Sequence, residues 1–226
     1  MSGTSSSQGR SIAVFCGARA GVHARHLQVA GQFGEALARR GAGLVYGACG
    51  IGVMGAVAGA VTAAGGSVTG VIPHHLYERE KPDLAGGDIY VVRSMHERKA
   101  LMYRLSSGFA VLPGGLGTLD ELMEVATWNQ LRLHEKPVVL INQGGFFDPL
   151  IAMLDHVVAE GFLTHEERAA IRATADLGDA LDWLGLPVAP GTTAGSVTPG
   201  TPTAPSSTPD TPDTPAAPVV TVAGGN

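Results

Sequence analysis

Short β-branched runs alternate along this chain with longer stretches whose apolar residues recur every three to four positions. The short runs lie at residues 11–17 (SIAVFCG), 43–47 (GLVYG), 67–73 (SVTGVIP), 88–93 (DIYVVR), 109–112 (FAVL) and 137–142 (PVVLIN). They are apolar at successive positions rather than at every second one, which is the pattern of strands buried on both faces. The helical patterns fall between them, at 22–40, 52–64, 95–107, 118–133 and 146–160, with two shorter ones expected at 164–173 and 175–183. Such an alternation predicts an α/β fold: a Rossmann-like doubly wound parallel sheet flanked by helices on both faces. In that architecture ligands sit beyond the carboxyl ends of the strands, so the loops there carry the chemistry.

The pattern fades at both ends. Residues 187–226 hold nine of the fourteen prolines, much Thr, Ser and Ala, and no Lys, Arg, His or aromatic residue. A segment of that composition cannot bury enough surface to offset its ordering entropy, so a disordered tail is expected there, and a shorter one at residues 1–10. One α/β domain is expected over 11–186. The whole chain of 226 residues carries 15 Lys+Arg against 20 Asp+Glu, a formal charge of −5, which gives no positive field for a nucleic-acid backbone. No run reaches the length of a membrane span, and the opening residues lack the apolar core of a secretory signal. Two cysteines, Cys16 and Cys49, are too few for a disulfide framework. A reducing, cytoplasmic setting is expected, without a membrane or nucleic-acid partner.

Two Gly-rich loops follow strands. The first, GACGIGVMG, spells G-x-G-x-x-G at Gly50, Gly52 and Gly55. A dinucleotide site would also need an acid about 20 residues on, at the end of the next strand. None lies between Glu35 and Glu78, and that strand ends in Pro73, His74 and His75. A ligand-facing loop or close helix-sheet packing explains the glycines better than NAD does. The second loop, Leu112-Pro113-Gly114-Gly115-Leu116-Gly117-Thr118, runs from a strand into a helix. Its backbone amides and the positive end of the helix suit a phosphate. No Lys follows the glycines, so this is no triphosphate loop, and a monophosphate is the natural guest.

Thr118 and Glu121 admit two readings. They form a T-x-x-E capping box, which would make both helix-start stabilisers. If a phosphate occupies the amides instead, Glu121 is turned toward the rest of the ligand, a sugar. Ser94 and Glu97 form a second such box, after which Arg98 and Lys99 come early in a helix, where cations are electrostatically unfavourable. Either Glu97 offsets them locally or they meet an anionic ligand at a rim shared with Gly114 to Thr118. His74, His75, His96 and His134 show no metal-ligand spacing. Neither cysteine is paired by sequence with a base, so packed thiols are expected rather than nucleophiles.

Taken in order, these segments resemble the Lonely Guy family of cytokinin riboside 5′-monophosphate phosphoribohydrolases, often labelled lysine decarboxylases. The family pattern PGGxGTxxE stands here as Pro113 to Glu121, and M-H-x-R-K as Met95 to Lys99. VFCG ending at Gly17, LVYG ending at Gly47, GVIP ending at Pro73, and Trp128, Gln130, Leu131, His134, Lys136 and Pro137 support the match. The resemblance implies hydrolysis of the N-glycosidic bond of an adenosine-type 5′-monophosphate, often N6-prenylated, to the free base and ribose 5-phosphate. It places Arg98 and Glu121 on catalytic positions. It places Gly114, Gly115, Gly117 and Thr118 on the phosphate loop, and adds Met95, Lys99, Gly47 and Glu80 to the substrate-binding set. It further implies a homodimer, no cofactor and no metal. A decarboxylase would need a Lys carrying pyridoxal phosphate, and the chain has only Lys81, Lys99 and Lys136. Three departures border the nucleotide loops: CGAR (Cys16 to Arg19) for CGSS, Tyr46-Gly47-Ala48-Cys49 for YGGG, and Ser107 where an acid is usual. A carrier that binds a phosphorylated nucleotide-like cofactor without turnover is the competing reading.

Overall fold

The protein is described by a computed structural model covering residues 10–80, 87–186 and 220–222. The elements run β1 (Ser11–Phe15), α1 (Arg25–Arg39), β2 (Gly43–Tyr46), α2 (Gly52–Ala63), β3 (Val68–Pro73), α3 (His74–Glu80), β4 (Asp88–Val92) and α4 (Met95–Leu105). They continue with β5 (Gly108–Val111), α5 (Leu116–Gln130), β6 (Val138–Ile141), α6 (Asp148–Ala159), α7 (His165–Ala169), β7 (Ile171–Thr174), α8 (Leu177–Trp183) and β8 (Val220–Val222). All strand pairs are parallel, in the order β7-β6-β5-β1-β2-β3-β4-β8.

The strands are apolar on both faces because both faces are covered. Ile12 and Val14 of β1 pack into one core with Phe33 and Leu37 of α1 and Val57 and Val61 of α2. Their neighbours Ala13 and Phe15 point the other way, into a second core with Tyr103, Phe109, Leu122 and Val125. Phe15 stacks on Phe109 at 5.7 Å between ring centroids. Each such side chain, fully shielded, contributes roughly 1.5–3 kcal/mol of burial. At the amino edge of the sheet the guanidinium of Arg10 donates to the carbonyl of Gly185, and that of Arg40 to the carbonyl of Leu186 and, at 2.6 Å, to Asp182.

The structure corrects the sequence reading at short elements. The helix expected over 164–173 stops at Ala169, and Ile171–Thr174 pairs with β6 as a seventh strand. The run HEERAA favours a helix locally, but the open edge of β6 supplies a ladder that a four-residue segment ending in β-branched Thr can take up. A helix at His74–Glu80 was not foreseen, and α1 starts at Arg25 rather than at 22. Val220–Val222, within the segment expected to lack order, lies beside β4 as a strand. None of the described helices is long and apolar enough to cross a membrane.

Candidate active site

Strand order reverses between β1 and β5, which are neighbours in the sheet although four crossovers separate them in sequence. Loops leaving the two strands therefore part toward opposite faces and open a crevice, the place where such sheets bind ligands. A cavity of about 750 Å³ fills it. One wall is the loop after β1, Cys16 to Val22, with His26 of α1; another is Pro113 to Gly117 with Thr118, Asp120 and Glu121 of α5. Val53 and Met54 of α2, Met95 and Arg98 of α4, and Phe146 complete it.

The two loops touch through glycine. The Gly17 amide donates to the Pro113 carbonyl at 3.1 Å, and a Cβ on Gly114 would stand 2.1 Å from Thr118 Oγ1 and 2.8 Å from the Gly17 nitrogen. Gly115 and Gly117 face open space, with nothing within 4 Å of where a Cβ would be. Gly115 is the N-cap of α5, and no side chain caps that helix. Its first amides are thus left to an outside acceptor, which the helix dipole biases toward an anion. The helix begins two residues before Thr118, so the capping-box alternative falls: Thr118 and Glu121 are internal, and only 3% and 7% exposed.

The opening of α4 is capped as expected for Ser94, whose Oγ accepts from the Glu97 amide at 3.2 Å; Glu97 Oε2 accepts from the Arg93 amide at 2.7 Å. That turn carries Arg98 inward, where it is buried. Its Nη2 donates to the Gly47 carbonyl at 3.4 Å, and its Nε has no partner among the described residues. A Cβ on Gly47 would come within 1.7 Å of Nη2, so Gly47 serves by yielding space to the guanidinium. Burial pushes the Glu121 carboxyl up to about 7, against the pull of Arg98; Asp120 adds to the rise and Lys99 opposes it. The result is a shielded acid that can hold or release a proton near neutrality beside an arginine with a donor to spare.

The expected residues do not all converge. Met95, Arg98, Gly114, Gly115, Gly117, Thr118 and Glu121 line the cavity. Lys99 does not: its ammonium sits 3.1 Å from Asp120 and 2.6 Å from Glu124, and Tyr103 donates to Glu124 at 2.8 Å. These pairs tie α4 to α5. Glu80 closes α3, and its side chain lies outside the described residues. The G-x-G-x-x-G loop acts by packing: Gly52, at φ +65°, would drive a Cβ to 2.4 Å from the Ala18 carbonyl carbon, so this turn braces the cavity wall from behind. Cys16 is buried, and burial raises its thiol pKa far above the range of a working nucleophile. Among the described residues no group of three or more His, Cys, Asp or Glu could hold a metal. Sequence reasoning passed over His26, Phe146 and Asp120, which reach the cavity from helix starts and a connection that only the fold brings together.

Residues 54–184 match the protein family described as possible lysine decarboxylase, a span that includes Arg98, the Gly114 to Thr118 loop and Glu121. The chain belongs to this family. Curated relatives in it include the probable cytokinin riboside 5′-monophosphate phosphoribohydrolase LOGL5 of Oryza sativa subsp. japonica, 46% identical over 76% of this chain and 70% of that protein. The cytokinin riboside 5′-monophosphate phosphoribohydrolase of Rhodococcoides fascians is 40% identical over 76% of this chain and 87% of its own. Among solved structures, the Moco carrier protein from Chlamydomonas reinhardtii superposes with a TM-score of 0.59 at 21% identity, covering 79% of this chain and 96% of its own. The molybdenum cofactor binding protein from Rippkaea orientalis gives 0.60 at 21%, over 80% and 98%. At that identity these two speak for the fold, and the family assignment rests on the closer sequences.

Proposed function

We propose that this protein is a phosphoribohydrolase that cleaves the N-glycosidic bond of an adenosine-type 5′-monophosphate, N6-substituted or not, to the free base and ribose 5-phosphate. The observation that carries the reading is a buried carboxyl poised near neutrality, Glu121, in the second turn after an uncapped, glycine-lined helix start and under the influence of the buried Arg98. The names and identities of the family relatives support the same reaction.

In this reading the amides of Gly115 to Thr118 hold the phosphate, Met95, Gly114 and Glu80 belong to the surrounding binding set, and Gly47 takes part through the Arg98 guanidinium that it seats. Bond breaking leaves the electron pair on the base and builds positive charge on the sugar. The Glu121 carboxylate stabilises that charge, orients the ribose hydroxyls and takes a proton from the water that adds at the anomeric carbon; the departing base takes up a proton from solvent, and Glu121 returns its own to solvent, so that one water is consumed overall. Arg98 offers planar paired donors to phosphate or ribose and keeps Glu121 partly ionised, which an ammonium would do less specifically. No cofactor or metal enters the scheme.

A carrier that binds a phosphorylated nucleotide-like ligand without turnover would use the same amides but would leave Glu121 and Arg98 without work. The deciding assay is release of ribose 5-phosphate from AMP, isopentenyl-AMP, CMP and GMP side by side. Release from none of them refutes the hydrolase. We extend the reading to a cytoplasmic homodimer. The free thiols Cys16 and Cys49 fit a reducing setting, and Leu131 and Leu133, 61% and 66% exposed after α5, suit an apolar contact between copies. A monomeric mass in light scattering would refute the dimer.

A further inference from the structure

Of the buried polar side chains, four line the cavity: His26, Arg98, Thr118 and Glu121. The reading above, on which this inference rests, gives Thr118 to the phosphate loop, Arg98 to phosphate or ribose, and Glu121 to the sugar. His26 is left over. Its ring nitrogens make no hydrogen bond to the described residues, and they are not among the buried polar atoms left without a partner, so they open onto the cavity although the residue as a whole is only 7% exposed. An imidazole edge presented to the cavity is available to bond whatever occupies it, water or ligand.

The ring is also held in place. It lies edge-on to Phe146, with centroids 5.8 Å apart at 76°, and at 5.9 Å from His23. Gly21, at φ +73°, leaves room for it, since a Cβ there would stand 2.9 Å from His26 Cδ2. Burial lowers the affinity of His26 for a proton, and Arg25 and His23 lower it further. Neutral imidazole offers one donor and one acceptor, the complement of a heteroaromatic edge, whereas a contact with phosphate would favour the charged form. The surroundings agree: Phe146 and Val22 make this part of the wall apolar and suited to a flat ring.

We propose that His26 recognises the base of the nucleotide, donating to or accepting from its edge, with Phe146 as the apolar surface beside it. The wall that carries the phosphate loop then sets that a monophosphate binds, and the opposite wall sets which base it bears.

The test is calorimetric binding of AMP and of ribose 5-phosphate to His26→Phe and His26→Gln, each in a Glu121→Gln background so that AMP survives the titration. The ratio of the two affinities isolates the base. His26→Phe keeps an aromatic ring against Phe146 and removes both nitrogens; it is expected to weaken AMP about tenfold or more and leave ribose 5-phosphate unchanged. His26→Gln restores a neutral donor and acceptor and is expected to recover part of the loss. Equal weakening of both ligands, weakening of ribose 5-phosphate alone, or no change in either overturns the proposal. Turnover of AMP by the unmodified enzyme is measured separately. Its absence would strike the hydrolase reading while the binding ratio still reports on His26.

Discussion

Glu121 stands where chemistry and stability oppose each other, and Glu121→Gln separates them. In the fold the carboxyl is lifted from its ordinary 4.5 to about 7. A raised acid favours the protonated native state: the stability this gives is fully present below the unfolded value and is lost as pH rises through the native one. The shift corresponds to about 3 kcal/mol between the two protonation states, most of which is lost between about pH 5 and about pH 8. Glutamine keeps the shape and removes the titration. Urea unfolding of both proteins near these two pH values should therefore show the variant gaining on the parent by about 2–3 kcal/mol toward the alkaline side. Other groups titrate equally in both and cancel in the difference. In the same preparations ribose 5-phosphate release should fall about 10²–10⁴-fold in the variant while AMP still binds. Parallel stability curves would mean that Glu121 is not strained by its burial. Full activity would remove it from the mechanism.

The rate of AMP cleavage should rise with pH through an ionisation near 7, the native value of Glu121. Arg98→Ala removes the cation that holds the carboxyl down, so what activity remains should rise only at higher pH; an unmoved midpoint would disconnect the two groups. Gly117→Ala faces open space and improves helix propensity, so it should leave thermal stability intact and raise KM for AMP, because the methyl occupies the ligand's place. Gly114→Ala meets Thr118 and the Gly17 backbone instead, and should cost about 1–3 kcal/mol in unfolding experiments. Lys99→Met breaks the pairs with Asp120 and Glu124, and should lower stability without altering KM; a large rise in KM would return Lys99 to the ligand.

The sheet was legible because β1, β2, β3, β5 and β6 are buried on both faces along nearly all of their length and so carry mostly apolar runs, which no amphipathic helix shares. Ile171–Thr174 was not, because only Ile171 of its four residues is fully shielded and the pull toward strand comes from β6 rather than from its own residues. The chemistry followed the same division. Arg98, Glu121 and the loop between β5 and α5 are consecutive signals, each readable within a few residues. Spacing alone could not tell a capping Thr118 from a buried one, since the answer depends on where α5 starts, and Gly115 rather than Thr118 supplies that start. His26 carries no local mark at all. Its significance comes from Phe146, which lies 120 positions further on and reaches it only once β6 has docked beside β5.

The hydrogen bond from Arg10 to Gly185 joins the residue before β1 to the turn after α8, on the side away from the cavity. A short bridge could join these two points and new termini could be opened in an exposed connection, such as the turn at Gly161 between α6 and α7. Such a rearranged gene product should keep its crevice between β1 and β5 intact. Fusion partners attached ahead of Arg10 should likewise leave ligand entry unobstructed.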